Sequence, residues 1–133
     1  MDIEKKDAKI LIVDDDKNVR EILCYLFKKR GFMVRDAGNG IDALKEVAQD
    51  KPDIIILDVA MPEMDGLETC KRLRESPDTQ DIPIIFLSAQ RGITEFIQHQ
   101  HMPGAAIEYI EKPCDIGYLL KQSNKLIAGQ KTT

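Results

Sequence analysis

The chain has 133 residues, of which 43% are apolar and 32% charged, with a formal net charge of −4. That is the size and balance of one globular domain with a single proper core, and the mixed acids and bases leave no basic face for nucleic acid. Met1-Asp2-Ile3-Glu4-Lys5-Lys6-Asp7 is too polar for a secretory leader, and no apolar run approaches membrane-spanning length. Cys24, Cys70 and Cys114 are odd in number and far apart, with no CxxC, the pattern of reduced structural thiols in a cytoplasmic protein.

Lys9-Ile10-Leu11-Ile12-Val13 reads as a buried strand that stops at Asp14, Asp15 and Asp16. Val19, Ile22, Leu23, Leu26 and Phe27 then recur at helical spacing, closed by Lys28-Lys29-Arg30 and a glycine cap at Gly31. A short strand is expected from Phe32 to Asp36, followed by a turn at Ala37-Gly38-Asn39-Gly40. Gly38-Asn39-Gly40 lacks the third glycine of a dinucleotide fingerprint and reads as a plain turn. Ile41, Leu44, Val47 and Ala48 mark a second helix, ended by Asp50-Lys51-Pro52.

The central stretch runs from Asp53 to Gly66. Ile54-Ile55-Ile56-Leu57, with three β-branched residues, predicts a strand buried on both faces, and Asp58 stands where it must end. Met61-Pro62 and Asp65-Gly66 punctuate the loop that follows. Leu67, Cys70 and Leu73 give a third helix, broken at Ser76-Pro77. Ile82-Pro83-Ile84-Ile85-Phe86-Leu87 is a fourth strand running into Ser88. Ile93, Phe96 and Ile97 suggest a short fourth helix between Gly92 and Pro103-Gly104. A fifth strand, Ile107 to Ile110, leads into Glu111-Lys112-Pro113, and Ile116, Leu119, Leu120, Ser123, Leu126 and Ile127 form the last helix.

Five βα units predict an α/β fold: a doubly wound, five-stranded parallel sheet of strand order 2-1-3-4-5. The expected organisation is a polar extension over 1–8, one domain over 9–128 and a polar tail over 129–133. In such a sheet ligands bind outside the carboxyl ends of the strands. Asp14, Asp15, Asp58, Ser88 and Lys112 all fall there, on separate segments. Three carboxylates in one crevice repel one another unless neutralised. Lys112 offsets part of the charge, and an all-oxygen set with room for water and phosphate oxygen suits Mg²⁺; zinc is disfavoured because no His or Cys set accompanies it. Carboxylate, Mg²⁺, lysine and hydroxyl together suit phosphoryl transfer, with an aspartate attacking phosphorus.

Taken in order, Leu11-Ile12-Val13-Asp14-Asp15, Leu57-Asp58-x-x-Met61-Pro62-x-Met64-Asp65-Gly66, Leu87-Ser88-Ala89 and Lys112-Pro113 resemble the CheY-like receiver domain of bacterial two-component response regulators, over about Lys9 to Ala128. The resemblance implies the flavodoxin-like fold and a phosphoacceptor role for Asp58, supplied by a sensor histidine kinase or a histidine phosphotransfer protein. It implies Mg²⁺ on Asp15, Asp58 and the backbone carbonyl of Ala60, with Asp14 acting mainly through water. It implies that Lys112 and Ser88 contact the phosphoryl group, that Ser88 and Tyr109 form the switch, and that Lys112-Pro113 is a cis peptide. Output would pass to a downstream protein through the face of the fourth predicted helix, fifth strand and last helix. On that resemblance the domain is a signalling protein and not an enzyme in the ordinary sense, with neither nucleic acid nor membrane as its direct partner. Ala60 and Gln90 hold the positions that tune dephosphorylation in the family. The interval from Ser88 to Lys112 is longer than in CheY itself, which bears on Tyr109 and not on the acids.

Two other readings compete on the same residues. A degenerate receiver would keep the fold and act as a phosphorylation-independent docking module. A haloacid-dehalogenase-type phosphatase would use Asp14-x-Asp16, Ser88 and Lys112, but needs further acids beyond its lysine and finds only Asp115. Asp16 reads as a solvated or helix-capping acid. His99 and His101, two apart, do not share a helix face and read as surface.

Overall fold

A computed structural model of the chain describes residues 7–89 and 107–129. Its elements are β1 (Lys9–Val13), α1 (Lys17–Lys29), β2 (Met33–Ala37), α2 (Gly40–Gln49), β3 (Ile54–Asp58), α3 (Gly66–Arg74), β4 (Ile84–Ser88), β5 (Ile107–Glu111) and α4 (Ile116–Gly129). The five strands are all parallel, in the order β2-β1-β3-β4-β5. The helix expected around Ile93 to Ile97, with Gln90, His99 and His101, lies outside the described residues.

The unbroken apolar runs of β1, β3 and β4 follow from a sheet covered on both faces. Successive side chains point to opposite sides. Leu11, Val13, Ile55, Leu57, Ile84 and Phe86 pack on one side with Ala43 and Val47 of α2 and Cys70 and Leu73 of α3. Ile10, Ile12, Ile54, Ile56, Ile85 and Leu87 pack on the other with Leu23 and Phe27 of α1 and Leu119, Leu120 and Ile127 of α4. Each such side chain, taken fully out of water, contributes roughly 2 kcal/mol. The edge strand β2 is far less buried, which is why its sequence, Met33-Val34-Arg35-Asp36-Ala37, lacks the apolar run.

Helix ends are set by local chemistry. Asp16, Asn39 and Asp65 are the N-caps of α1, α2 and α3, each with extended backbone and a side-chain oxygen on amides of the first turn. Asp16 is thus a capping acid. Past the end of α1, Gly31 has φ +93° and donates to Lys28 O, while Phe32 N–H donates to Phe27 O. That paired closure needs the left-handed backbone glycine adopts freely. The Phe27 and Phe32 rings then meet edge to face at 5.1 Å. Because Phe32 is committed to this cap, β2 begins at Met33 and not at Phe32. Likewise β4 begins at Ile84: Pro83 has no N–H to give, although its carbonyl still accepts from Ile55 at 3.0 Å.

Candidate functional site

The carboxyl ends of β1, β3, β4 and β5 bring four segments together. Asp14, directly after β1, is buried, and its N–H donates to Ala37 O at 3.2 Å, extending the sheet one step. Its carboxylate is fully engaged: Oδ1 accepts from Asp16 N–H at 2.9 Å and Oδ2 from Lys112 Nζ at 2.8 Å. Asp58 closes β3 and is buried, with Oδ1 3.6 Å from the same ammonium. Asp15 is exposed, and one carboxylate oxygen from each of Asp14, Asp15 and Asp58 lies within 4.8 Å of the others. Among the described residues, this is the acid cluster that could hold a metal ion.

The loop beyond Asp58 is fixed at two points. Val59 N–H donates to Leu87 O at 3.2 Å, and Gly66 N–H donates to Val59 O at 2.8 Å. Gly66 lies so close to the strand end that a Cβ there would fall 2.2 Å from Asp58 O, backbone against backbone. Glu63 takes φ +66° at the tip of this loop. Asp15, Ala60, Met61, Pro62 and Asp65 line an open depression beside the acids. Ser88, buried, ends β4, and its carbonyl accepts from Lys112 N–H at 2.7 Å, which ties the two strand ends together. The Lys112–Pro113 peptide is cis. Tyr109 stacks on Phe86 with ring centroids 5.6 Å apart and planes within 6°, against the α2/α3 side of the core.

Electrostatics follow from this geometry. Burial, with the Asp14 charge next, pushes the Asp58 carboxyl from an ordinary 3.8 to about 6; Lys112 and the Ala60 amide pull the other way and lose. For Lys112, burial alone would lower the ammonium's pKa, but the hydrogen bond to Asp14 and the charge of Asp58 outweigh it, so the net direction is up. Burial, then the nearby Cys70 thiol, raises the Tyr109 hydroxyl. The cluster is short of positive charge, its donors are all oxygen, and one member faces solvent. That composition fits a hard divalent cation of the Mg²⁺ kind and not zinc.

Two residues that shape the site escaped the sequence reading. Gly66 reads as turn punctuation, although its lack of a side chain also admits the Asp58 carbonyl. Arg20, on the first turns of α1, gives no signal beyond its spacing from the acid pair, yet its guanidinium donates to Asp14 O at 2.7 Å.

A parallel sheet in this order with acids, hydroxyl and lysine at its carboxyl edge defines a class, and comparison with known proteins agrees. The family model for the response regulator receiver domain matches residues 10–124, and the chain belongs to that family. It is 38% identical over 124 residues to the response regulator MprA of Mycobacterium ulcerans, covering 93% of this chain and 52% of that protein. The chain therefore spans about half the length of the curated relatives it matches. Among solved structures, the signal receiver domain of a signal transduction histidine kinase from Syntrophus aciditrophicus superposes with a TM-score of 0.84 at 33% identity, covering 95% of this chain and 94% of that one. The response regulator TrrA from Thermotoga maritima, in complex with Mg²⁺ and BeF, superposes with a TM-score of 0.78 at 33% identity, covering 90% and 98%. The fold and family are those expected from the sequence, and the comparisons give no support to a receiver that only docks.

Proposed function

We propose that Asp58 is the phosphoacceptor of this receiver domain. The observation that carries the reading is the pairing of a buried, strand-end carboxylate with Lys112, beside Asp14 and the exposed Asp15. An Asp58 oxygen attacks phosphorus, the bond from phosphorus to the donor nitrogen breaks, and the imidazole of a phosphohistidine leaves with the electron pair. The donor is a sensor histidine kinase or a histidine phosphotransfer protein. Its raised pKa makes the Asp58 oxygen a more basic nucleophile that is still mostly ionised above pH 6.

Asp15, Asp58 and the Ala60 carbonyl would hold Mg²⁺; with both its oxygens engaged by protein donors, Asp14 would act through water. Bound there, Mg²⁺ neutralises carboxylate charge and polarises the phosphoryl oxygens. Lys112 contributes a fixed positive charge to the incoming group, and the Ser88 hydroxyl donates a hydrogen bond to it. Phosphorylation adds about −1.5 to −2 charge at Asp58, enough to draw both residues to a new partner. Movement of Ser88 frees space beside Tyr109, and the surface around β5 and α4 passes the change to a downstream protein.

Intact-mass spectrometry after incubation with acetyl phosphate and Mg²⁺ tests the reading. One phosphoryl group should appear on the wild type, and none on Asp58→Asn or without metal. Modification that persists in Asp58→Asn would refute the assignment.

A further inference from the structure

Resting on the reading of Asp58 as phosphoacceptor, we propose that Arg20 is a positioning residue for the metal-binding acids: its guanidinium clamps the peptide of Asp14 between α1 and the end of β2.

The Asp14–Asp15 pair stands just beyond the last regular residue of β1, where one ladder-type bond, from Asp14 N–H, remains. The Asp14 N–H still reaches Ala37 O, but its carbonyl is taken by a side chain: Arg20 Nη1 donates to it at 2.7 Å. Through Nε the same guanidinium donates to Asp36 Oδ2 at 2.8 Å. Arg20 is itself anchored, its N–H on Asp16 O at 3.0 Å in the first turn of α1. One planar group thus ties the acid loop to α1 and to β2, which a single ammonium on a flexible stem would not do.

The surroundings are shaped to admit it. A Cβ on Gly38 would lie 3.1 Å from Arg20 Nη1, so the first glycine of Gly38-Asn39-Gly40 leaves the guanidinium its place. The Arg20 side chain is 19% exposed and Asp36 47%, so the bond to Asp14 O is the better shielded from solvent of the two. What the clamp fixes is directional. The Asp14 peptide precedes Asp15 and sets where that residue's carboxylate projects, while Asp14 Oδ1 is held by the next amide, Asp16 N–H. Freeing the Asp14 carbonyl lets the peptide rotate, and both acids lose their register with Asp58.

The test compares Arg20→Met, Arg20→Lys and Arg35→Met in the full chain. Arg35 is the internal control: it is also ion-paired on β2, to Glu46, but touches no part of the acid loop. Amide hydrogen exchange at Asp16 and Mg²⁺ affinity by calorimetry are read beside the melting temperature. Arg20→Met should weaken Mg²⁺ binding by about ten-fold, as loss of a group that orients metal ligands commonly does, and speed Asp16 exchange by a similar factor. Arg20→Lys should recover only part of either, and Arg35→Met should lower the melting temperature while leaving both unchanged. Arg20→Met with wild-type Asp16 exchange and Mg²⁺ affinity, and only a lower melting temperature, would overturn the proposal. If the wild type binds no Mg²⁺, the functional reading fails, and Asp16 exchange still decides whether Arg20 positions the loop.

Discussion

Asp58→Asn removes one of three negative charges from a site that Lys112 compensates only in part, and it does so with almost no change of shape. In the unfolded chain this carboxyl titrates near its ordinary 3.8; in the folded protein it titrates at about 6. A rise of that size corresponds to about 3 kcal/mol held against the folded state once both forms are ionised. The sign follows from proton uptake. Above pH 6 the folded protein carries the whole cost. Between pH 6 and 3.8 it binds a proton that the unfolded chain does not, and the cost shrinks; below 3.8 both carboxyls are neutral and nothing remains. Without Mg²⁺ at pH 7.5, the variant should therefore be more stable than wild type by about 3 kcal/mol, a urea midpoint about 1.5 M higher at an m-value near 2 kcal/mol/M. Urea titrations followed by far-UV circular dichroism at pH 7.5, 6 and 4 provide the assay. The other carboxylates are common to both proteins, so the difference isolates Asp58. Added Mg²⁺ should stabilise the wild type more than the variant and close most of the gap. A variant no more stable than wild type at pH 7.5, or a gain that survives undiminished at pH 4, would refute the reasoning.

Lys112→Met leaves the buried Asp14 carboxylate without its ammonium and should cost about 3 kcal/mol at pH 7.5, measured by urea unfolding. In the double variant with Asp58→Asn, where one fewer acid needs a cation, more than ~1 kcal/mol of that loss should return. Gly66→Ala drives a methyl into the Asp58 carbonyl and should cost about 3 kcal/mol while slowing phosphorylation by acetyl phosphate; wild-type values for both would show that the loop yields freely. Asp16→Ala removes the N-cap of α1 and should cost about 1 kcal/mol without altering Mg²⁺ affinity by calorimetry, since its carboxylate is engaged by the first-turn amides of α1 and is not among the clustered acids.

Much of this architecture was legible because each strand of the sheet interior is covered on both sides, which turns Ile54 to Leu57 or Ile84 to Leu87 into an unbroken apolar run. A polar residue ending such a run is conspicuous, so Asp14, Asp58 and Ser88 stand out before any contact is known. Element ends were less legible, because they depend on backbone partners: Phe32 is claimed by the cap of α1, and Pro83 lacks the N–H to begin β4 earlier. Close approaches between distant segments leave no periodic trace. The contact of Gly66 with Asp58 O, that of Gly40 with Met64 O and Thr69, and the hold of Arg20 on Asp14 O are of this kind. So is the engagement of both Asp14 carboxylate oxygens, by Asp16 N–H and by Lys112.

The bond between Lys112 and Asp14 joins residues 98 positions apart, across a sheet in which β3 and β4 lie between their strands. During synthesis the three aspartates emerge from the ribosome long before the lysine. A nascent chain that has gathered β1 to β4 still holds its acids without their cation, which arrives only when β5 pairs with β4. The charge-compensated site is therefore the last part of the sheet edge to be completed, because its cation sits on the last strand to join.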